Sequence, residues 1–118
     1  MPVNIDAVLA ALDEHWSPRT VAVLNDYDVR VVKVLGEFTR HSHPETDELF
    51  LVLSGRLAIR LDDSEVVLGP GDVHVVPRGV FHQPFAEAET TVLLVEPSET
   101  VNTGDTPSEL TADRRVVG

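Results

Sequence analysis

The chain has 118 residues, a length that suits one domain, and it contains no cysteine. Disulfides, zinc–thiolate sites, iron–sulfur clusters and thiol nucleophiles are therefore excluded. Nine lysines and arginines face twenty aspartates and glutamates, so the formal net charge is −11. Because nucleic acids and anionic membranes bind basic surfaces, this composition argues against both as partners.

No apolar run approaches the roughly 18 residues that a membrane-spanning helix requires. The first sixteen residues lack a basic stretch and carry Asp6, Asp13 and Glu14, so no signal peptide is predicted. The sequence therefore predicts a cytoplasmic protein.

Residues 1–19 are predicted to form an N-terminal helix that packs on the rest of the fold. Apolar side chains recur at offsets of three and four, which places them on one helical stripe: Ile5, Val8, Leu9, Leu12 and Trp16. Asn4 is the expected N-cap, and Pro18 prevents continuation of the helix. His15 is expected at the helix end, where it favours the helix dipole.

From residue 20 the pattern changes to short runs rich in β-branched residues. Seven runs are typical of strands, namely residues 20–25, 29–38, 48–55, 56–61, 65–68, 72–77 and 90–97. Asn, Gly and Pro turn signals separate them, including Pro84. Strands at this spacing without intervening helices predict an antiparallel sandwich or barrel over residues 20–97.

Residues 98–118 form a polar extension without sustained periodicity. One interpretation is a loosely attached tail. The other is a segment that lies across the barrel or a neighbouring subunit, with Val101, Leu110, Val116 and Val117 as its anchors.

The stretch "HSHPETDE", residues 41–48, concentrates histidines and carboxylates. His41 and His43 share a face if they lie on a strand, and neutral imidazole suits divalent iron, nickel, copper and zinc. Glu48 lies at an odd offset from His43, but a turn or bulge at Pro44 would reset the parity. Glu48 would then share an apolar strand face with Phe50, where its charge needs a partner such as a metal ion.

A second stretch, "PRGVFHQP", places His82 directly after a Pro-x-Gly turn. A turn followed by a strand that begins with histidine can deliver an imidazole from a second strand.

These two stretches carry a resemblance to a known family. "GEFTRHSHPETDELFLVLSG", residues 36–55, resembles the first motif of the cupin superfamily, and "GDVHVVPRGVFHQPFA", residues 71–86, resembles the second. The sequence is most similar to small single-domain bacterial cupins of the mannose-6-phosphate isomerase-like type. Two positions depart from the motifs, since four residues rather than five separate Gly36 from His41, and Ala86 stands where asparagine is usual.

The resemblance implies an all-β fold, a single-domain antiparallel jelly-roll-like β-barrel of six to eight strands, with the short N-terminal helix outside it. It also implies one divalent metal ion, either Mn, Fe, Zn or Ni, at the barrel mouth. The implied ligands are His41, His43, Glu48 and His82. Cupins commonly dimerise, so the resemblance further implies a homodimer.

Three histidines and one carboxylate would leave about two open positions on an octahedral metal. This favours a metal-dependent enzyme that acts on a small polar molecule, of the isomerase, decarboxylase or dioxygenase type. The alternative is a non-catalytic module that binds or senses a small molecule. No separate catalytic acid or base is identified in the sequence.

Three further residues are candidates for a ligand pocket: Phe50, Arg56 and Phe81. The alternative for the phenylalanines is core packing, and for the arginine an exposed structural position. Arg60, Arg78 and Phe85 carry the same two alternatives.

The remaining acidic and histidine residues near the motifs have simpler interpretations. Glu45 and Asp47 are expected in a solvated turn, with substitution for Glu48 or hydrogen bonding to the ligands as the alternative. His74 lies outside the motif and is expected to be structural or exposed.

Overall fold

The computed structural model describes residues 2–117 and contains one short helix followed by seven strands. The elements are α1 (Ile5–Ala11), β1 (Arg19–Leu24), β2 (Tyr27–Glu37), β3 (Glu48–Ser54), β4 (Leu57–Arg60), β5 (Glu65–Leu68), β6 (Val73–Val76) and β7 (Gln83–Pro97). Each of the seven predicted runs overlaps one strand, and all strand pairs are antiparallel. The predicted all-β jelly-roll architecture with a short N-terminal helix is confirmed.

The sheet is organised around β7, its longest strand. β7 pairs with β2 on one side, and on the other side its two halves pair with β4 and β3. β1 extends the sheet beyond β2, β6 beyond β3, and β5 beyond β4. In the described residues the sheet does not close into a complete barrel, because β6 pairs only with β3, and β1 pairs beyond β2 only through one bridge between Thr20 and Val116.

Curvature comes from interruptions in the strand register. The pairing of β2 with β7 shifts between Val34 and Gly36, and that of β3 with β7 shifts between Val52 and Ser54. Such bulges bend a strand and increase its twist. Gly36 adopts φ +79°, a left-handed conformation that glycine accepts without steric cost.

The first half of β7 was not predicted as a strand. Residues 83–89 combine a proline with alanines and glutamates, all of low strand preference, and Pro84 was interpreted as a turn signal. In the structure Pro84 lies within β7, opposite Ile59, and its carbonyl oxygen accepts a hydrogen bond from the Phe38 N–H at 2.9 Å. Pairing with β2 and β4 therefore makes these residues a strand despite their low strand preference.

The main core lies between the facing surfaces of the curved sheet. Along β3, Glu48, Phe50 and Val52 are buried while the intervening leucines are half-buried, as the parity reset at Pro44 predicts. The buried apolar residues of this core include Val34, Leu57, Ile59, Leu68, Val76 and Val92. A smaller cluster forms on the outer face, where Leu9 and Leu12 cover Val31.

Helix α1 is shorter than the apolar stripe predicts. The Asn4 side chain caps it as expected, accepting a hydrogen bond from the Ala7 N–H at 2.9 Å, but the chain becomes extended at Leu12. Trp16 therefore lies outside the helix, and His15 pairs with Glu89 at 2.9 Å instead of with the helix dipole. No helix among residues 2–117 is long and apolar enough to cross a membrane.

Residues 98–117, the C-terminal extension, lie across the sheet rather than forming a loose tail. The Thr20 N–H donates to the Arg115 carbonyl at 2.8 Å, and the Val117 N–H donates to the Thr20 carbonyl at 2.9 Å. Of the four expected apolar anchors, Val101 and Val116 are exposed, whereas Leu110 and Val117 are half-buried. Polar contacts also hold this segment.

Asp28 is the main polar anchor of the extension. Its fully buried carboxylate accepts hydrogen bonds from Ser98 Oγ at 2.7 Å, Thr20 Oγ1 at 2.8 Å and Arg114 Nε at 2.7 Å. Arg30 completes the set at 3.2 Å. The Arg114 guanidinium and these other donors hold the pKa of Asp28 well below its usual range, although burial opposes ionisation.

We expect Arg114→Ala to lower the free energy of unfolding by about 1–3 kcal/mol, because a fully buried carboxylate loses one charged donor but keeps Arg30. Urea unfolding at pH 7 measures this. Arg115→Ala is the matched control, since Arg115 makes only an exposed pair with Glu14 and should change stability by less than about 0.5 kcal/mol. Equal stabilities for the two variants would contradict the role assigned to Asp28.

Candidate metal centre

His41, His43, Glu48 and His82 converge at one end of the sheet. One potential ligand atom from each lies within 4.8 Å of all the others. All four side chains are buried, with exposed fractions of 1–6%. The structure therefore brings together the whole predicted ligand set.

Backbone pairing places the first and last of these residues side by side. His41 and His82 form an antiparallel bridge, with N–H to carbonyl distances of 3.0 and 2.8 Å, and their ring centroids are 4.3 Å apart. The predicted turn follows at Pro44 and Glu45, after which Glu48 begins β3. The Gly79 N–H donates to the His43 carbonyl at 2.9 Å and so joins the two motif loops.

Carbonyl oxygens fix the orientation of two imidazole rings. His41 Nδ1 lies 2.7 Å from the Thr39 carbonyl, and His82 Nδ1 lies 3.0 Å from the Val80 carbonyl. Because a carbonyl oxygen only accepts, each Nδ1 carries the proton and donates it. In the neutral His41 ring, Nε2 is then left with a free lone pair, the state that binds a metal ion.

The buried surroundings set the charges of the group. Burial, together with the neighbouring His82, lowers the pKa of His41 to about 4, so His41 is neutral near pH 7. Burial opposes ionisation of Glu48, but the imidazoles of His43 and His82 hold its pKa well below the usual range. Burial and the charge of Glu48 raise the pKa of the adjacent Glu96.

The donors fit a metal ion. His43 Nε2 is buried and has no hydrogen-bond partner in the described residues, although it lies 3.3 Å from Glu48 Oε1. His82 Nε2 lies at the same distance from that oxygen. Neutral imidazoles and one carboxylate suit divalent transition metals, so a cation among these atoms would satisfy the unpaired nitrogen.

An apolar cavity, here called the chamber, adjoins His41 and Glu48. Its residues, which the sequence did not single out as a group, are Trp16, Pro18, Val32, Val34, Phe38, His41, Glu48, Phe50, Leu57, Pro84, Val92, Leu94 and Asn102. The Trp16 ring stacks on Phe38 at 4.7 Å between centroids. Helical spacing predicts that Trp16 belongs to the N-terminal helix, and no feature of the neighbouring sequence indicates that its ring lines a cavity.

The three predicted pocket residues have different positions. Phe50 lines the chamber, and its ring meets that of His82 edge-on at 6.2 Å. Phe81 is outside it, because its exposed ring lies under the Arg40 guanidinium at 4.5 Å. Arg56 is also outside, in a surface groove.

Arg60, Arg78 and Phe85 also lie away from the chamber. Phe85 borders the same surface groove as Arg56 and lies under the Arg60 guanidinium at 4.4 Å. Arg60 pairs with Glu37 at 2.5 Å, and Arg78 pairs with Asp47. Both arginines therefore make surface ion pairs.

The other motif residues support the loops. Asp47 is exposed, and its Oδ1 accepts from the Arg78 backbone N–H at 2.9 Å, which links the two motif turns. Glu45 is exposed in the first turn. His74 is half-buried on β6, opposite Phe50 on β3.

Comparison with protein-family models matches residues 29–97, more than half of the chain, to the cupin domain. The chain belongs to the cupin family. The uncharacterised protein YdbB of Bacillus subtilis (strain 168) is 35% identical to this cupin over 94 residues, which cover 79% of this chain and 83% of YdbB.

Two crystal structures show the same fold. A cupin-2 domain-containing protein from Shewanella frigidimarina is 41% identical and superposes with a TM-score of 0.79, covering 80% of this cupin and 93% of that chain. NMB1881 from Neisseria meningitidis is 28% identical, with a TM-score of 0.75 over 83% of this cupin and 100% of that chain.

We expect metal-free protein to lose stability as the pH falls from 6.5 to about 4. In this window the unfolded chain protonates His41 while the folded chain does not, so the free energy of unfolding should fall by up to about 3 kcal/mol. Urea unfolding of wild type and His41→Gln measures this, because the variant lacks that contribution. A midpoint near pH 6.5 in an NMR titration of His41 would contradict the expectation.

Proposed function

We propose that this cupin binds one divalent metal ion, either Mn, Fe, Zn or Ni, through His41, His43, Glu48 and His82. We further propose that it is a metal-dependent enzyme acting on a small molecule, of the isomerase, decarboxylase or dioxygenase type. The observation that supports this most strongly is the unpaired, buried Nε2 of His43 within a set of four convergent donors.

A bound metal would supply Lewis-acid polarisation of a substrate oxygen or, in the case of iron, chemistry with dioxygen. The protein contributes orientation and charge. The Thr39 and Val80 carbonyls hold the rings of His41 and His82, and Glu48 provides one negative charge. An apolar chamber lies directly beside these residues.

One observation favours a second candidate, a non-catalytic module that binds or senses a small molecule. In the described residues that line the chamber, His41 and Glu48 are the only ones with ionisable side chains. If both are ligands, no separate acid or base remains for proton transfer. Turnover of a keto acid, a diketone or a sugar by the metal-loaded protein would decide for the enzyme.

The proposal includes a homodimer in the cytoplasm. Exposed apolar residues lie on edge strand β6 (Val73 and Val75) and on β1 beyond its bridge to the C-terminal extension (Val23 and Leu24). An exposed edge of this kind can pair with a second chain.

We expect purified protein to take up one equivalent of divalent metal per chain. Glu48→Ala and His82→Ala should each lower the metal affinity by at least about 100-fold, because each removes a donor itself rather than a group that orients one. Elemental analysis and competition with a chelator measure this. His74→Ala is the control, since this half-buried histidine lies outside the ligand set and should leave the affinity unchanged.

Loss of fold is monitored in the same samples by circular dichroism. Full metal content in both Glu48→Ala and His82→Ala would overturn the proposed site.

A further inference from the structure

The chamber extends the site from His41 and Glu48 into the core between the sheet faces. Its empty space, including its opening to solvent, is about 430 Å³. Ten of its thirteen residues are apolar, and the other three are His41, Glu48 and Asn102. No lysine or arginine lines it.

The outer wall of the chamber consists of only three residues. Trp16, Pro18 and Asn102 are half-buried, whereas every other residue of the lining is buried. All three lie outside residues 29–97, the part of the chain that matches the cupin family. Two segments outside the family match therefore line the solvent-facing side of the chamber.

The two segments are fastened to each other and to the sheet. The Trp16 N–H donates to the Lys33 carbonyl, and its indole N–H donates to the Leu35 carbonyl, each at 2.9 Å. Asn102 Nδ2 lies 3.3 Å from the Trp16 carbonyl. Trp16 holds φ 61°, a left-handed conformation that is costly for a bulky residue, so these contacts determine where its ring lies.

We infer that the ligand is a small molecule with one acidic oxygen head and an apolar body of up to one ring. The inference rests on the proposed metal site, where the head would bind. The body would occupy the chamber, and Trp16 and Asn102 determine which bodies fit.

Charge and polarity exclude sugar phosphates from the chamber. A divalent metal carries one charge more than Glu48 offsets, which suits a single anionic head. The hydroxyl groups of a sugar would face apolar side chains and lose hydrogen bonds to water without replacement. A distal phosphate would find no cationic side chain in the lining.

Trp16 gives the test a direct reporter, because it is the only tryptophan in the protein and yields one indole N–H signal by NMR. Zinc-loaded full-length protein is titrated with acetate, benzoate and mannose 6-phosphate. Benzoate should shift the indole signal and bind at least about tenfold more tightly than acetate, since the two share a head and differ in the buried ring. Mannose 6-phosphate should bind no more tightly than acetate.

Two substitutions on β2 distinguish an effect of the chamber on binding from a general effect on the core. Val34 lines the chamber, whereas Val31 packs on the opposite face against Leu9 and Leu12. Val34→Ile should weaken benzoate binding about fivefold or more by filling space, and Val31→Ile should leave it unchanged. Metal content should equal that of wild type in both variants.

The outcomes distinguish this inference from the proposed function. Equal affinities for acetate and benzoate in metal-loaded protein, tighter binding of mannose 6-phosphate, or equal effects of the two valine substitutions would overturn it, while the metal site would stand. If no metal is taken up, the proposed function fails. Benzene binding to the metal-free protein then tests by itself whether the chamber admits an apolar ring. Benzene should then shift the Trp16 signal, and Val34→Ile should reduce its affinity while Val31→Ile does not.

Discussion

A buried carboxylate begins β3, and its charge governs the arrangement of everything near it. Glu48 is 4% exposed and lies 3.3 Å from both His43 and His82 Nε2. Removal of such a charge from water is expensive unless nearby groups compensate it. The turn at Pro44 and Glu45 and the bridge between His41 and His82 both serve to bring imidazoles to this carboxylate. The fold therefore places this buried carboxylate beside groups that can compensate its charge.

A series of buried ionisable side chains in contact with one another extends inward from Glu48. Glu96 is buried next to Glu48, and burial together with that negative neighbour raises its pKa. Arg30 Nη1 reaches Glu96 at 3.3 Å, and its other nitrogens contact Asp28. Asp28 in turn binds Arg114 of the C-terminal extension. Because buried pairs tolerate the loss of a partner poorly, the extension and the site are parts of one electrostatic arrangement.

Local sequence signals predict the parts of this protein whose structure depends on a single strand or a single turn. The alternation of β3 and the reset at Pro44 place Glu48 and Phe50 on the buried face. The first half of β7 was missed because Pro84 and its neighbours have low strand preference, and only pairing with β2 and β4 makes them a strand. Sheet closure is also a non-local property, since it depends on whether β1 and β6 meet. The backbone bridge between His41 and His82 is also a non-local contact, so the sequence alone does not predict it.

The segments outside the family match contribute Trp16, Pro18 and Asn102 to the lining of the chamber. Trp16 belongs to a helical stripe by spacing, but stacking on Phe38 and two hydrogen bonds to β2 carbonyls hold it against the chamber. In the C-terminal extension, a Cβ at Gly104 would collide with the Ser42 carbonyl and lie 3.0 Å from the His41 ring, so the backbone itself covers the site. Loops and terminal segments carry specificity on a rigid sheet because they tolerate change. In this cupin the four candidate metal ligands lie within the residues that match the family, whereas Trp16 and Asn102 of the chamber lining lie outside them.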